Sequence, residues 1–112
     1  MRIRLFDYTG AIALATSLMV QPGTASQMAV TNEVTIDNFS FIPQTVAVPV
    51  GTTVVWVNRD DIPHTVTSVD KKSIVSRALD TNEKFAYTFT VAGTNDYYCS
   101  VHPHMKGRIV VH

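Results

Sequence analysis

The stretch YYCSVHPHMKG occupies residues 97–107 and places Cys99, His102 and Met105 at intervals of three. A helix through this stretch would be broken by its proline, which lacks a backbone donor and clashes with the preceding turn. On a tight loop that leaves a strand, however, the three side chains can turn toward one point. The final glycine then allows the chain to enter the next strand. The stretch therefore predicts a loop between two β-strands that carries metal ligands.

On either side of this loop, apolar and polar residues alternate with the two-residue period of half-buried strands. The sequence after residue 26 shows no helical period, and turn-forming glycine, proline and aspartate residues separate the apolar runs. The predicted strands are residues 33–37, 44–49, 52–58, 64–68, 85–90, 94–99 and 107–111. Residues 70–82 have no regular pattern and receive no assignment. About seven or eight short strands predict an all-β sandwich.

A fourth candidate ligand, His64, lies 35 positions before Cys99 and opens one of the predicted strands. A sandwich brings strands that are distant in sequence together at one end. Two imidazoles, one thiolate and a weak axial thioether form the donor set of blue-copper electron-transfer sites. We therefore predict one copper ion, cycling between Cu(I) and Cu(II), with His64, Cys99, His102 and Met105 as its ligands.

Other interpretations of these residues remain. Taken alone, Cys99 is typical of a small buried side chain, and Met105 of a core residue. His104 also lies two positions from His102 and could bind metal in its place, although we expect it to be exposed and not a ligand. Structural zinc is disfavoured because a thioether is a poor zinc ligand. A thiol enzyme would need an exposed thiolate of low pKa and an oxyanion pocket, which no predicted loop provides.

The N-terminal residues have the order of a secretory signal peptide: Arg2 and Arg4, an apolar run over residues 11–20, and small residues at 23–26. We predict a signal peptide at residues 1–26, a mature domain at residues 27–112 and a periplasmic location. An uncleaved anchor is the alternative, but the run is shorter than the ~20 residues that span a bilayer. Export also makes Cys99 informative, because it is the only cysteine and cannot pair within the chain.

The charge balance argues against a nucleic-acid partner. Nine Lys plus Arg face nine Asp plus Glu, so the chain has no basic footprint. Its length of 112 residues, with 46% hydrophobic and 16% charged residues, fits one globular domain.

Several motifs together resemble the cupredoxins, most closely their amicyanin and plastocyanin branch. They are WVNR at 56–59, Pro63-His64, AGT at 92–94, YYC at 97–99 and the segment 102–111. The short spacing from Cys99 to Met105 is similar to that of amicyanins, whereas plastocyanins have a longer gap before the methionine. The resemblance implies a Greek-key sandwich, one bound copper and exchange of electrons between periplasmic redox proteins.

The resemblance also implies roles for residues around the ligands, which tune a metal as strongly as the ligands do. Asn58 is expected to tie its strand to the ligand loop at Ser100. The backbone N–H of Thr65 is expected to point at the Cys99 sulfur, and the N–H of Val101 could supply a second such bond. An apolar patch is expected around His102, and redox partners are expected to bind to it briefly. Its members are Ile62, Pro63, Val101 and Pro103.

These observations predict a monomeric electron carrier that is not an enzyme and has no small-molecule substrate. The expected partners are periplasmic redox proteins, namely a dehydrogenase, a cytochrome or a copper oxidase. Copper storage or delivery uses the same ligands and is the alternative function. A delivery protein usually has an open or methionine-rich site, whereas a single axial methionine on a closed loop favours retention of the metal.

Overall fold

A computed structural model of the protein describes residues 32–112, which form eight β-strands and no helix. The predicted signal peptide, residues 1–26, lies outside the described residues. Within residues 32–112 no helix is long and apolar enough to cross a membrane. The strands are β1 Glu33–Asp37, β2 Ser40–Ile42, β3 Thr45–Val48, β4 Thr52–Asn58, β5 Thr67–Ser68, β6 Lys84–Phe89, β7 Gly93–Tyr98 and β8 Lys106–Val111. The prediction of an all-β fold with seven to eight strands is confirmed.

The strands form two four-stranded sheets, in the orders β2-β1-β4-β6 and β3-β8-β7-β5. The pairs β1/β4 and β3/β8 are parallel, and the other neighbours are antiparallel. Parallel neighbours cannot be joined by a tight hairpin, so the chain crosses between the sheets, as in a Greek-key sandwich. The crossings bring the end of β4 and the end of β7 to the same end of the molecule.

The core lies between the sheets. It consists of the alternate residues of each strand whose side chains point inward. Trp56 is completely buried at its centre, and its ring contacts Phe85, Phe89 and Tyr97 at centroid distances of 5.8, 6.4 and 5.4 Å. Burial raises the pKa of the Tyr97 phenol above its usual range. The contact between Trp56 of β4 and Tyr97 of β7 joins the two sheets beneath the ends of these strands.

Gly107 is needed for a reason other than the one the sequence suggests. It lies inside β8, paired with Tyr97 of β7, and its φ is not positive. A Cβ at this position would overlap the Cζ and Oη atoms of the Tyr97 ring. The glycine therefore makes room for a tyrosine across the sheet, and does not serve to turn the chain into the strand.

One strand was not predicted and one is shorter than predicted, whereas the bounds of the other strands agree to within one residue. The short strand β2 was absent from the prediction, because it spans only three residues before Pro43 and pairs with β1 through a two-residue turn. The strand expected at 64–68 is reduced to Thr67–Ser68, with an isolated bridge between His64 and Leu79. Residues 64–66 instead bond to the segment 70–82: His64 N–H donates to Leu79 O at 3.1 Å, and Leu79 N–H to His64 O at 2.7 Å.

Candidate metal centre

Three predicted ligands meet at the end of the sandwich where β4 and β7 finish. His64, Cys99 and His102 offer ligand atoms that all lie within 4.8 Å of one another. The Cys99 Sγ lies 3.8 Å from Nδ1 of His64 and 3.7 Å from Nδ1 of His102. Both imidazoles therefore present the same nitrogen, Nδ1, to the sulfur and to the space between the three residues.

The ligand loop, residues 99–105, is closed by its own backbone. Cys99 N–H donates to Met105 O at 3.1 Å, His102 N–H to Cys99 O at 3.2 Å, and Met105 N–H to His102 O at 2.9 Å. These bonds hold the three side chains on one tight turn, as the spacing of three predicted. Met105 is only 3% exposed and belongs to the same core cluster as Cys99, so its thioether lies inside the protein.

The donor set fits copper. A thiolate and a thioether suit Cu(I), imidazole nitrogens suit both oxidation states, and the combination is that of blue-copper sites. His64 and Cys99 are completely buried and His102 is partly buried, so the polypeptide, and not solvent, surrounds the metal position. His64, Cys99, His102 and Met105 form the ligand set for one copper ion.

Thr65, the residue after His64, contacts the ligand loop at two points, the Cys99 sulfur and Ser100. Its backbone N–H lies 3.4 Å from Sγ, in the arrangement that the resemblance implies. Its hydroxyl accepts the N–H of Ser100 at 2.8 Å and lies 2.8 Å from the Ser100 hydroxyl. The N–H of Val101 is not among the donors to Sγ within residues 32–112; the second sulfur bond expected there is absent from this arrangement.

Asn58 has a different partner from the expected one. Its amide donates to Ile62 O and Leu79 O, both at 2.8 Å, and its Oδ1 accepts the N–H of Asp60 at 2.9 Å. The side chain thus organises the chain between β4 and His64. The contact to Ser100 is made by Thr65, because both N–H groups of the Asn58 amide are already donated to Ile62 and Leu79.

Comparison with known proteins places this geometry in a family. The cupredoxin-like domain family matches residues 10–111 of the chain. The chain belongs to the cupredoxins. Amicyanin from Paracoccus denitrificans is 30% identical over 95% of this chain and 86% of its own length. Amicyanin-alpha from Methylorubrum extorquens is 32% identical over 95% of this chain and 89% of its own length.

Solved structures agree with this assignment. An oxidized amicyanin variant aligns with a TM-score of 0.68 and 34% identity, covering 71% of this chain and 80% of that chain. A purple cupredoxin from Nitrosopumilus maritimus aligns with a TM-score of 0.68 and 32% identity, covering 71% of this chain and 98% of that chain. A copper-containing nitrite reductase from Thermus scotoductus also aligns, with a TM-score of 0.67 and 35% identity, but only 22% of that chain is covered.

At the surface of this cupredoxin, the residues predicted to dock partners lie around the ligand loop. Pro63, Val101 and Pro103 are exposed, and Ile62 is half-buried. His102 is half-buried beside them, whereas His104 is exposed and lies outside the ligand cluster. The loop thus turns His102 inward and His104 outward, in agreement with the choice between them made from the sequence.

Two residues near the ligands were missed in the sequence. Phe39, in the turn between β1 and β2, is 46% exposed and its ring lies 5.4 Å from the His64 ring and 5.1 Å from the His102 ring. The Asp60 carboxylate lies 2.8 Å from Nε2 of His64. Phe39 carried no signal because β2 was not predicted. Asp60, four residues before a predicted ligand, could have been tested as its hydrogen-bond partner.

Proposed function

We propose that this cupredoxin is a periplasmic electron carrier that shuttles single electrons between redox proteins. The observation that carries the proposal is the unequal burial of the two histidines. His64 is completely buried beside Cys99, whereas His102 is half-buried next to an apolar surface. Electrons can then pass through the His102 edge while the other ligands stay shielded from solvent.

The protein contributes rigidity to this function. Bound copper would supply a reversible one-electron couple, Cu(II)/Cu(I). The closed ligand loop and the Thr65 contacts to Cys99 and Ser100 hold the donors in one geometry, so that little rearrangement is needed when the charge changes. One electron arrives from a reduced partner and one leaves to an oxidised partner, with no bond broken in either protein.

Docking through the apolar patch supports transient partners and a monomeric carrier. Pro63, Val101 and Pro103 surround the His102 edge, and a small apolar surface of this kind suits brief encounters. We propose that the partners are a dehydrogenase, a cytochrome or a copper oxidase of the periplasm, reached after export directed by residues 1–26. The mature carrier would then be residues 27–112.

We propose that the chain is a carrier and not an enzyme. The likeness to the nitrite reductase covers only 22% of that enzyme. The amicyanin relatives, in contrast, are covered over 86% and 89% of their lengths. The comparison therefore favours a carrier over a reductase.

The first test is the visible spectrum of the mature protein after addition of Cu(II). A short thiolate bond to Cu(II) gives an intense band, which we expect near ~600 nm for this donor set and which Cys99→Ser should abolish. His102→Ala should also weaken this band. His104→Ala is its matched control and should leave the band unchanged, because only His102 lies in the ligand cluster. A colourless, weakly bound copper in the unmodified protein would remove the carrier function.

Copper retention separates a carrier from a storage or delivery protein. We expect repeated reduction and reoxidation by small mediators with no transfer of copper to a Cu(I) chelator on the time scale of the cycles. Rapid loss of copper to the chelator, with slow electron exchange, would favour storage or delivery. Cycling without loss would support the carrier.

The docking patch can be tested with one matched pair of variants. Val101→Asp places a charge beside His102, and Val91→Asp places one on the turn between β6 and β7, at the opposite end of the sandwich; these valines are 55% and 75% exposed. With a protein partner, Val101→Asp should slow electron transfer and Val91→Asp should not. Equal rates for both variants would place the docking surface elsewhere.

A further inference from the structure

Asp60 lies on the loop between β4 and His64 and binds three N–H groups with one carboxylate. Its Oδ1 accepts the backbone N–H of Asn38 at 2.7 Å. Its Oδ2 accepts the backbone N–H of Phe39 at 2.9 Å and lies 2.8 Å from Nε2 of His64. One side chain therefore links the turn between β1 and β2 to a buried copper ligand.

The Asp60 carboxylate is itself held in place and shielded. Its side chain is 11% exposed. The Asp60 N–H donates to Asn58 Oδ1 at 2.9 Å, and its carbonyl accepts the Thr81 hydroxyl at 2.6 Å.

The contact to His64 determines which ring nitrogen carries the proton. A carboxylate has only acceptors, so Nε2 must be the donor. In the neutral ring the other nitrogen, Nδ1, then carries no hydrogen, and it is the nitrogen that lies 3.8 Å from the Cys99 sulfur. A carboxylate bonded to the outer nitrogen of a ligand imidazole fixes the ring orientation and makes the ring a stronger ligand.

The contacts from Asp60 to the turn between β1 and β2 place a second group, the Phe39 ring, at the site. Asn38 and Phe39 have φ values of 51° and 56°, in the left-handed region that side chains rarely adopt. Both residues donate their N–H groups to Asp60, which stabilises this backbone conformation. This turn also places the Phe39 ring edge-on to both imidazoles, with interplanar angles of 86° to His64 and 87° to His102.

We propose that Asp60 is a positioning residue of the copper site, which fixes the tautomer and orientation of His64 and, through the Asn38–Phe39 turn, the position of the Phe39 ring beside both histidines. The proposal rests on the copper ligand set and not on the electron-carrier function. An asparagine could not replace it without loss, since its side chain would present one oxygen and one NH₂ group to three N–H donors.

The first experiment uses the unmodified, metal-free protein and therefore does not depend on a variant that folds. Nitrogen-15 NMR of the histidine rings, recorded at a pH at which the rings are neutral, should show a slowly exchanging proton on Nε2 of His64 and none on Nδ1. His104, which is exposed, should show fast exchange in the same spectrum. A proton on Nδ1 of His64, or fast exchange at its Nε2, would overturn the proposal whether or not the protein carries electrons.

The second experiment compares Asp60→Asn with Asp61→Asn. Both variants lose one negative charge. Asp61, however, is exposed, and the contacts to Asn38, Phe39 and His64 are made by the neighbouring Asp60. Asp60→Asn should lose copper about 10- to 100-fold faster, as expected when a partner of a ligand histidine is removed. Its reduction potential should rise, because a less basic imidazole stabilises Cu(II) less.

Asp61→Asn should leave both quantities close to those of the unmodified protein, since an exposed charge is screened by solvent and salt. Phe39→Leu separates the two roles of Asp60: it removes the ring contacts but keeps the N–H donor, so the slow His64 proton should persist. Equal copper loss and equal potentials in Asp60→Asn and Asp61→Asn would show that Asp60 does not position the ligand.

Discussion

The two histidine ligands differ in how the protein holds them. His64 is completely buried, pairs through its backbone with Leu79 and bonds through its ring to Asp60. His102 lies on the ligand loop, is half-buried, and has the Phe39 ring and apolar surface residues beside it. One ligand is thus part of the core and the other part of the surface. The difference shows how one site can be both rigid and accessible to a partner.

The largest expected effect comes from deleting each ring in turn. In His102→Gly, added imidazole should enter from the surface and restore a coloured Cu(II) site. In His64→Gly, the space lies inside the protein beneath Asp60, so added imidazole should restore little colour. Absorption titrations with imidazole measure both. Equal restoration in the two variants would contradict the contrast between a buried and an accessible ligand.

The next effect concerns the framework beneath the ligand loop. Gly107→Ala should destabilise the protein by about 3 kcal/mol, since the new methyl group overlaps the Tyr97 ring in a packed sheet. Chemical denaturation of the metal-free protein measures the loss. Lys106→Ala, at the neighbouring exposed position of the same strand, is the control and should cost less. An unchanged unfolding midpoint for Gly107→Ala would show that Tyr97 can move aside.

Thr65 joins the buried side of the site to the loop, and the loss of its hydroxyl should have a smaller effect. Thr65→Val keeps the shape and the N–H to the sulfur but removes the acceptor of Ser100 N–H. We expect a loss of about 1–2 kcal/mol in the free energy of unfolding. Thr94→Val, on an exposed position of β7, is the matched control. Similar losses in both would indicate that the Thr65–Ser100 bond adds nothing to stability.

The smallest effect concerns acid stability of the segment that pairs with His64. Asp70 accepts the hydroxyls of Ser68 and Ser73 and the N–H groups of Ser73 and Lys72, which together lower the pKa of its carboxyl. Because the folded pKa lies below the unfolded value, the stabilisation is present above about pH 4 and is lost as the pH falls further.

Asp70→Asn should therefore flatten the decline of stability between about pH 4 and pH 2, measured by urea denaturation of the metal-free protein. Asp61→Asn removes the same charge without these hydrogen bonds and is the control. A decline as steep in Asp70→Asn as in the unmodified protein would assign the acid sensitivity to other groups.

The sequence predicted the metal ligands but not all of the residues that surround them. Cys99, His102 and Met105 lie within seven residues, so their spacing alone indicated a ligand loop. His64 could be added because its type completed a recognisable donor set. Phe39 and Asp60 could not be identified in this way, because their contacts depend on a two-residue turn and a three-residue strand that have no clear hydrophobic period.

The sequence by itself determined the all-β class, the ligand types and the identity of the metal, because strand periodicity and donor chemistry are local properties. Only the tertiary structure decided which groups surround the ligands. It assigned the Ser100 contact to Thr65 and not to Asn58, opposed Gly107 to Tyr97, and joined Asp60 to both His64 and the Asn38–Phe39 turn. The physical reason is that these contacts join segments brought together only when the two sheets pack, and a residue's type does not specify its partner across that distance.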